Sequence, residues 1–177
     1  MVIKNLIVLM CFVFIMGNVS IAQDYEYIGA AKCKMCHNKA TTGTQYDIWA
    51  KSSHANALAS LKSEKSIAYG KANGIADPSK DPKCLNCHST YHTVNSDLIA
   101  TLTATEGVSC ESCHGPGSVY KSMSIMKSRE QSLKNGLILP TKEVCITCHN
   151  EKNPFHKPFD YNTAVKKIAH PNPAAAK

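Results

Sequence analysis

Apolar residues are distributed unevenly along the chain. Residues 1–23, MVIKNLIVLMCFVFIMGNVSIAQ, carry one lysine, Lys4, ahead of an apolar run from Leu6 to Met16. Ser20 and Ala22 then supply small residues before a cleavage point after Ala22. This is the pattern of a secretory signal peptide over 1–22, and the run is short for a membrane span. Cys11 lies within it without the preceding small residues of a lipoprotein site. Residues 23–177 then form one domain, exported to the periplasm or beyond, with no membrane span after leader removal.

In the remainder, apolar positions recur at helical spacing in short stretches only. Thr44–Leu61 places Tyr46, Trp49 and Ser53 on one stripe, with Ala55, Leu58 and Leu61 nearby, and predicts a helix. Lys65–Asn73 predicts a second, closed by Gly74. Lys121–Asn135 gathers Met123, Met126 and Leu133 on one side before Gly136, and predicts a third. Tyr161–Ala169 predicts a last helix, capped by Asp160 or Asn162 and halted before Pro171. Asp77–Pro82 and Asn153–Pro158 read as irregular, and Gly115-Pro116-Gly117 as a tight turn. No segment alternates long enough for a sheet. The expected class is mainly α with extensive irregular loops.

Cysteine spacing changes this picture most. Outside the leader, eight cysteines fall as Cys33/Cys36, Cys84/Cys87, Cys110/Cys113 and Cys145/Cys148, each pair a CxxC. A histidine follows every pair: His37, His88, His114 and His149. Four disulfides are the default for exported cysteines, but they do not require the histidines. Two zinc ribbons leave the histidines equally unexplained, and a thioredoxin-like CxxC expects one motif on a βαβ frame. CxxCH is the attachment signature of c-type haem. Two thiols one helical turn apart add to the two vinyl groups on one porphyrin edge, and the next imidazole reaches the iron. The expectation is four haem c groups.

Four porphyrins in 177 residues leave too little chain for an ordinary core around each, so the core is expected to be organised by haem. Closely spaced irons favour electron tunnelling. The net charge of +7 is dispersed along the chain, and each ferric haem with two ionised propionates offsets it by about one unit. The lysines read as solvated charges and propionate partners, which argues against nucleic-acid binding.

The stretches YIGAAKCKMCHNK, IWAKSSHANAL, DPKCLNCH, EGVSCESCHGPGS, VCITCHNEKNPF and VKKIAHP, in this order, resemble the cytochrome c-554 family of tetrahaem cytochromes. EGVSCESCHGPGS carries most of the specificity, because CxxCH alone matches any c-type cytochrome. The resemblance implies periplasmic electron transfer between redox-protein donors and acceptors. It also implies haems in closely packed pairs with mostly bis-histidine ligation.

Four histidines remain for the second axial positions: His54, His92, His156 and His170. His54, among small residues, and His170, in KKIAHP, match family ligands. His156 lies in NPFHKPF between two prolines, equally suited to the surface. His92, four residues after His88, cannot reach the opposite face of its own motif's haem and would serve another. Family members often place a histidine soon after the GPG turn, and GPGSVYKSMSIMKS has none. Three alternatives follow. His92 or His156 replaces that ligand, Met123 or Met126 does, or one iron stays five-coordinate and open to a small nitrogen oxide. A histidine completing a neighbouring chain's iron would instead build an oligomer or filament.

Overall fold

The computed structural model describes residues 25–170, 172 and 173, so the expected leader lies outside the described residues. Ten short helices follow one another: α1 (Ala30–His37), α2 (Gln45–Ala50), α3 (Ala57–Ser60), α4 (Glu64–Ala72), α5 (Pro82–His88), α6 (Glu111–His114), α7 (Met123–Met126), α8 (Arg129–Lys134), α9 (Lys142–Ile146) and α10 (Tyr161–Ile168). The extended pairing among the described residues is an isolated parallel bridge between Tyr27 and Ile99. The mainly α class with long irregular connections is the observed one.

Two expected helices are broken. Thr44–Leu61 is divided into α2 and α3, separated by turns through the segment that carries His54. Lys121–Asn135 is divided at Ser128, whose side chain accepts from Gln131 N at 3.3 Å and starts α8 afresh. A serine offers the backbone a local alternative to the helical bond, and here that alternative prevails. The other helices begin where side-chain caps allow. Ser63 accepts from Ser66 N, Asp81 from Lys83 N ahead of Pro82, and Asp160 from Thr163 N.

The apolar core is small. Among the described residues, Ile28, Ala30, Leu61, Leu85, Leu102 and Tyr120 are the buried hydrophobic side chains. Large apolar groups such as Met35, Met123, Ile138 and Phe155 are exposed to protein-free space. So few buried groups offset little of the entropy of ordering a chain this long. The helices and turns therefore leave large apolar side chains uncovered by polypeptide.

Candidate haem centres

Each motif sits on a helical turn. α1 and α5 contain Cys33–His37 and Cys84–His88 whole; Cys110 is the N-cap of α6, and Cys145 lies in α9. Beyond α9 the helical turn continues far enough for His149 N–H to donate to Cys145 O at 3.0 Å. Residues i, i+3 and i+4 of a helix share one face, so each pair of sulfurs lies beside its imidazole. Among the described residues the eight motif cysteines form no disulfide, and no three His, Cys, Asp or Glu side chains converge into a metal cage.

Cys36 departs from the other attachment cysteines. Seven of the eight are half-buried, whereas Cys36 is exposed. The reason lies in α1, which is buried at its first residue, Ala30, and carries Lys34, Met35 and Cys36 outward into solvent. Packing of the polypeptide therefore does not mark Cys36 as a site. Its role rests on the CxxCH spacing, and a porphyrin edge is the group that would cover it.

The motif imidazoles are oriented through Nδ1. His88 Nδ1 lies 2.8 Å from Ala57 O and 3.3 Å from Ser60 Oγ; His114 Nδ1 lies 3.2 Å from Ile138 O. His37 Nδ1 meets Gln45 Oε1 at 3.3 Å. A proton held on Nδ1 by an oxygen fixes the tautomer in which Nε2 is a free lone pair, which is the state a metal requires. The fourth ring, His149, stacks instead on Phe159, with centroids 4.9 Å apart and 18° between planes.

The remaining histidines divide into two kinds. His54 faces His149 with ring centroids 6.0 Å apart, and His170 faces His114 at 5.8 Å. Metal–nitrogen bonds of about 2 Å on either side of one iron would separate two imidazole centroids by about 6 Å. Burial, and the neighbouring His149, hold the His54 imidazole below the ordinary histidine range; burial does the same for His114. These shifts favour the neutral imidazole, the form that binds a metal. His92, in contrast, is exposed, its ring 5.2 Å from Tyr91, beside a cavity of about 370 Å³ lined by Lys80 and Leu85. His156 is half-buried and its backbone N–H donates to Asn153 O. Neither ring faces a motif histidine among the described residues. Met123 is exposed at 62% on α7.

His54 is positioned by the stretch that precedes the third motif. Its carbonyl accepts Val108 N–H at 2.9 Å, while Trp49 Nε1 donates to Val108 O at 2.9 Å. Gly107 permits this approach: a Cβ there would lie 2.6 Å from Ala55 O and 2.7 Å from His54 O. The pair of bonds carries α2, and with it His54, onto the third motif.

The motifs also approach one another in pairs. The Cys33 thiol lies beside that of Cys110, and the Cys87 thiol beside that of Cys148. The adjacent Cys33 and burial hold the Cys110 thiol well above its ordinary range. Burial and the adjacent Cys148 push Cys87 up to about 11. Thus the first motif abuts the third and the second abuts the fourth, while Cys113 of the third also lies near Cys145 and Cys148 of the fourth. A small apolar core, oriented imidazoles, paired rings at iron-spanning separation and unpaired thiols fit haem c.

The model of the family described as cytochrome c554 and c-prime matches residues 32–115, the span that holds the first three motifs. Cytochrome c-554 of Nitrosomonas europaea is 30% identical over 151 residues, covering 73% of this chain and 60% of the relative. Both matches support the cytochrome c-554 family for this chain. The solved reduced state of cytochrome c554 from the same organism superposes with a TM-score of 0.54 at 25% identity, covering 82% of this chain and 79% of that one. Its fold is therefore similar to that of cytochrome c554, and the chain spans 60% of the length of the curated relative it matches. The fourth motif, His156 and His170 lie beyond the family-matched span.

Two residues of the motif region escape sequence reasoning. Glu111, inside the third CxxC, and Glu106, before it, accept backbone N–H groups at the start of α1. Their positions are plain in the sequence, but nothing local distinguishes them from solvated acids.

Proposed function

We propose that this protein relays single electrons between redox-protein partners through four covalently bound haem c groups. Cys33/Cys36, Cys84/Cys87, Cys110/Cys113 and Cys145/Cys148 provide the thioether sulfurs, and His37, His88, His114 and His149 the proximal ligands. His54 completes the iron of His149, and His170 that of His114. When bound, haem supplies one-electron chemistry at each iron; the protein fixes spacing, ligation and local charge. The observation that carries the reading is the pair of histidine–histidine separations, 6.0 and 5.8 Å, each joining a motif histidine to one from a distant segment.

The thiol contacts between motifs one and three, and two and four, support two close haem pairs, an arrangement suited to rapid internal transfer. Residues 23–177 act as one exported domain, delivered by the leader at 1–22 to the periplasm, and no helix among the described residues is long and apolar enough to cross a membrane. A pyridine haemochrome assay should return four haems per chain, and a redox titration should resolve successive one-electron steps. Fewer haems, or no step within reach of protein partners, would end the reading.

A second reading is favoured by the positions of His92 and His156. Neither ring faces His37 or His88, so the irons of the first and second motifs are candidates for ligands from outside, including small nitrogen oxides or a neighbouring chain's histidine. The EPR spectrum of the oxidised protein separates the two: high-spin signals mark open irons, and low-spin signals alone remove them.

A further inference from the structure

Glu111 is 2% exposed, the largest of the side chains buried to that degree. Its carboxylate is held by backbone alone. Oε1 accepts Ile28 N at 3.0 Å and Gly117 N at 2.7 Å; Oε2 accepts Gly29 N at 2.8 Å and Ile28 N at 3.1 Å. Both oxygens thus act as acceptors for two N–H contacts each, which is the hydrogen-bonding pattern of an ionised carboxylate. Burial, with the neighbouring Glu106 carboxylate, holds the carboxyl above the ordinary carboxylate range, and these N–H groups pull it back only in part. The ion pairs described are Lys80–Asp77 and Lys134–Glu130, both on the surface, so among the described residues no cation neutralises Glu111.

The location is what makes the charge informative. Glu111 lies between Cys110 and Cys113, and it acts electrostatically on Cys33 of the first motif. Cys33 and Cys110 are themselves in contact. Glu106 adds a second carboxylate at the same place, with Oε2 accepting Ala30 N at 3.0 Å at the start of α1. Tyr27 and Tyr120 face the group as neutral phenols, and the Tyr120 hydroxyl donates to Gly115 O at 2.9 Å. No other motif carries an acid within its CxxC: the intervening pairs are Lys34-Met35, Leu85-Asn86 and Ile146-Thr147.

We propose that Glu111 is a built-in anion that lowers the reduction potentials of the first and third haems relative to the second and fourth. A fixed negative charge in a low-dielectric setting stabilises the ferric state, which carries one more positive charge than the ferrous state. The polypeptide keeps that charge by aiming three backbone N–H groups at it. The consequence is a direction: the pair built on motifs one and three is the electron-donating pair, and the pair on motifs two and four receives.

The inference rests on haem attachment at all four motifs, which a pyridine haemochrome count tests on its own. The experiment is spectroelectrochemical titration of the holoprotein and of Glu111→Gln and Glu111→Asp. With four haems present, Glu111→Gln should move two of the four steps to higher potential and leave two in place, and Glu111→Asp should hold them near the original values. Four unmoved steps in Glu111→Gln, or equal displacement by both variants, would overturn the proposal. Should Glu111→Gln fail to assemble, Glu106→Gln removes the neighbouring charge at the cost of one hydrogen bond. It should raise at least one step, and an unchanged titration would overturn the proposal.

Discussion

Trp49 Nε1 donates to the carbonyl of Val108 at 2.9 Å across 59 residues, and Val108 N–H returns a bond to the carbonyl of His54. Val108, two positions before the third motif, thereby holds both ends of the segment that presents His54 to His149. Replacing Trp49 by Phe leaves the Val108 oxygen without its indole donor and should cost about 1 kcal/mol. The melting temperature should fall, and part of the low-spin signal of the His54–His149 iron should become high-spin.

Substitution of the two facing histidines should have discrete effects. His54→Ala and His170→Ala each remove one of two opposed rings, and each should convert one haem from low-spin to high-spin in EPR, with haem content retained. His92→Ala and His156→Ala, whose rings face no motif histidine, should leave the spectrum unchanged.

Gly107→Ala tests the close approach beneath His54. The new methyl would stand 2.6 Å from one backbone oxygen and 2.7 Å from another, neither of which can rotate aside. Separation of the two segments should cost about 1–3 kcal/mol, measured by thermal unfolding of the holoprotein. The same substitution at Gly74, whose Cβ would meet nothing within 4 Å, is strained only by its φ of +71° and should leave the haem spectrum unaltered.

Acidification should weaken the fold through His54 and His114. Burial holds both imidazoles below the ordinary histidine range, so the folded protein keeps them neutral at pH values where the unfolded chain protonates them. The unfolded state then binds more protons, and stability rises with pH. The contribution is complete above the unfolded value of about 6.5 and declines below it. Iron competes with protons for the same nitrogens, which acts in the same direction. Melting temperatures between pH 8 and pH 5, on the order of the unfolded titration range, should fall on the acid side.

The elements that could be read from sequence are those whose signal is local. CxxCH encodes its own geometry within one helical turn, and Asp160 caps α10 by a bond to Thr163 three residues away. The exposure of Cys36 was not legible, because it follows from how far α1 projects beyond Ala30 and not from the motif itself. The division of Thr44–Leu61 was hidden too, because the turns through His54 are held by Gly107 and Val108, more than fifty residues on. Ser128 lies nearer to legibility: a serine four residues before Ser132 within a weak apolar stripe is a cap as readily as an interior residue. His54 and His170 could be singled out through the family resemblance, but their pairing with His149 and His114 is a tertiary fact. Glu111 was invisible for the same reason. Its sequence neighbours are polar, and its burial comes from Ile28, Gly29 and Gly117 closing over it.

The scarcity of buried apolar side chains bears on how the protein is made. Six such residues among those described offset little of the entropy of ordering the chain, so it is expected to fold only as porphyrins are attached. Each CxxCH would then be met during attachment as an accessible peptide rather than as part of a finished surface. A chain that misses one attachment would lack a wall against which its neighbours pack, and would stay open to proteases. Incomplete cofactor loading is thus expected to be read out as degradation.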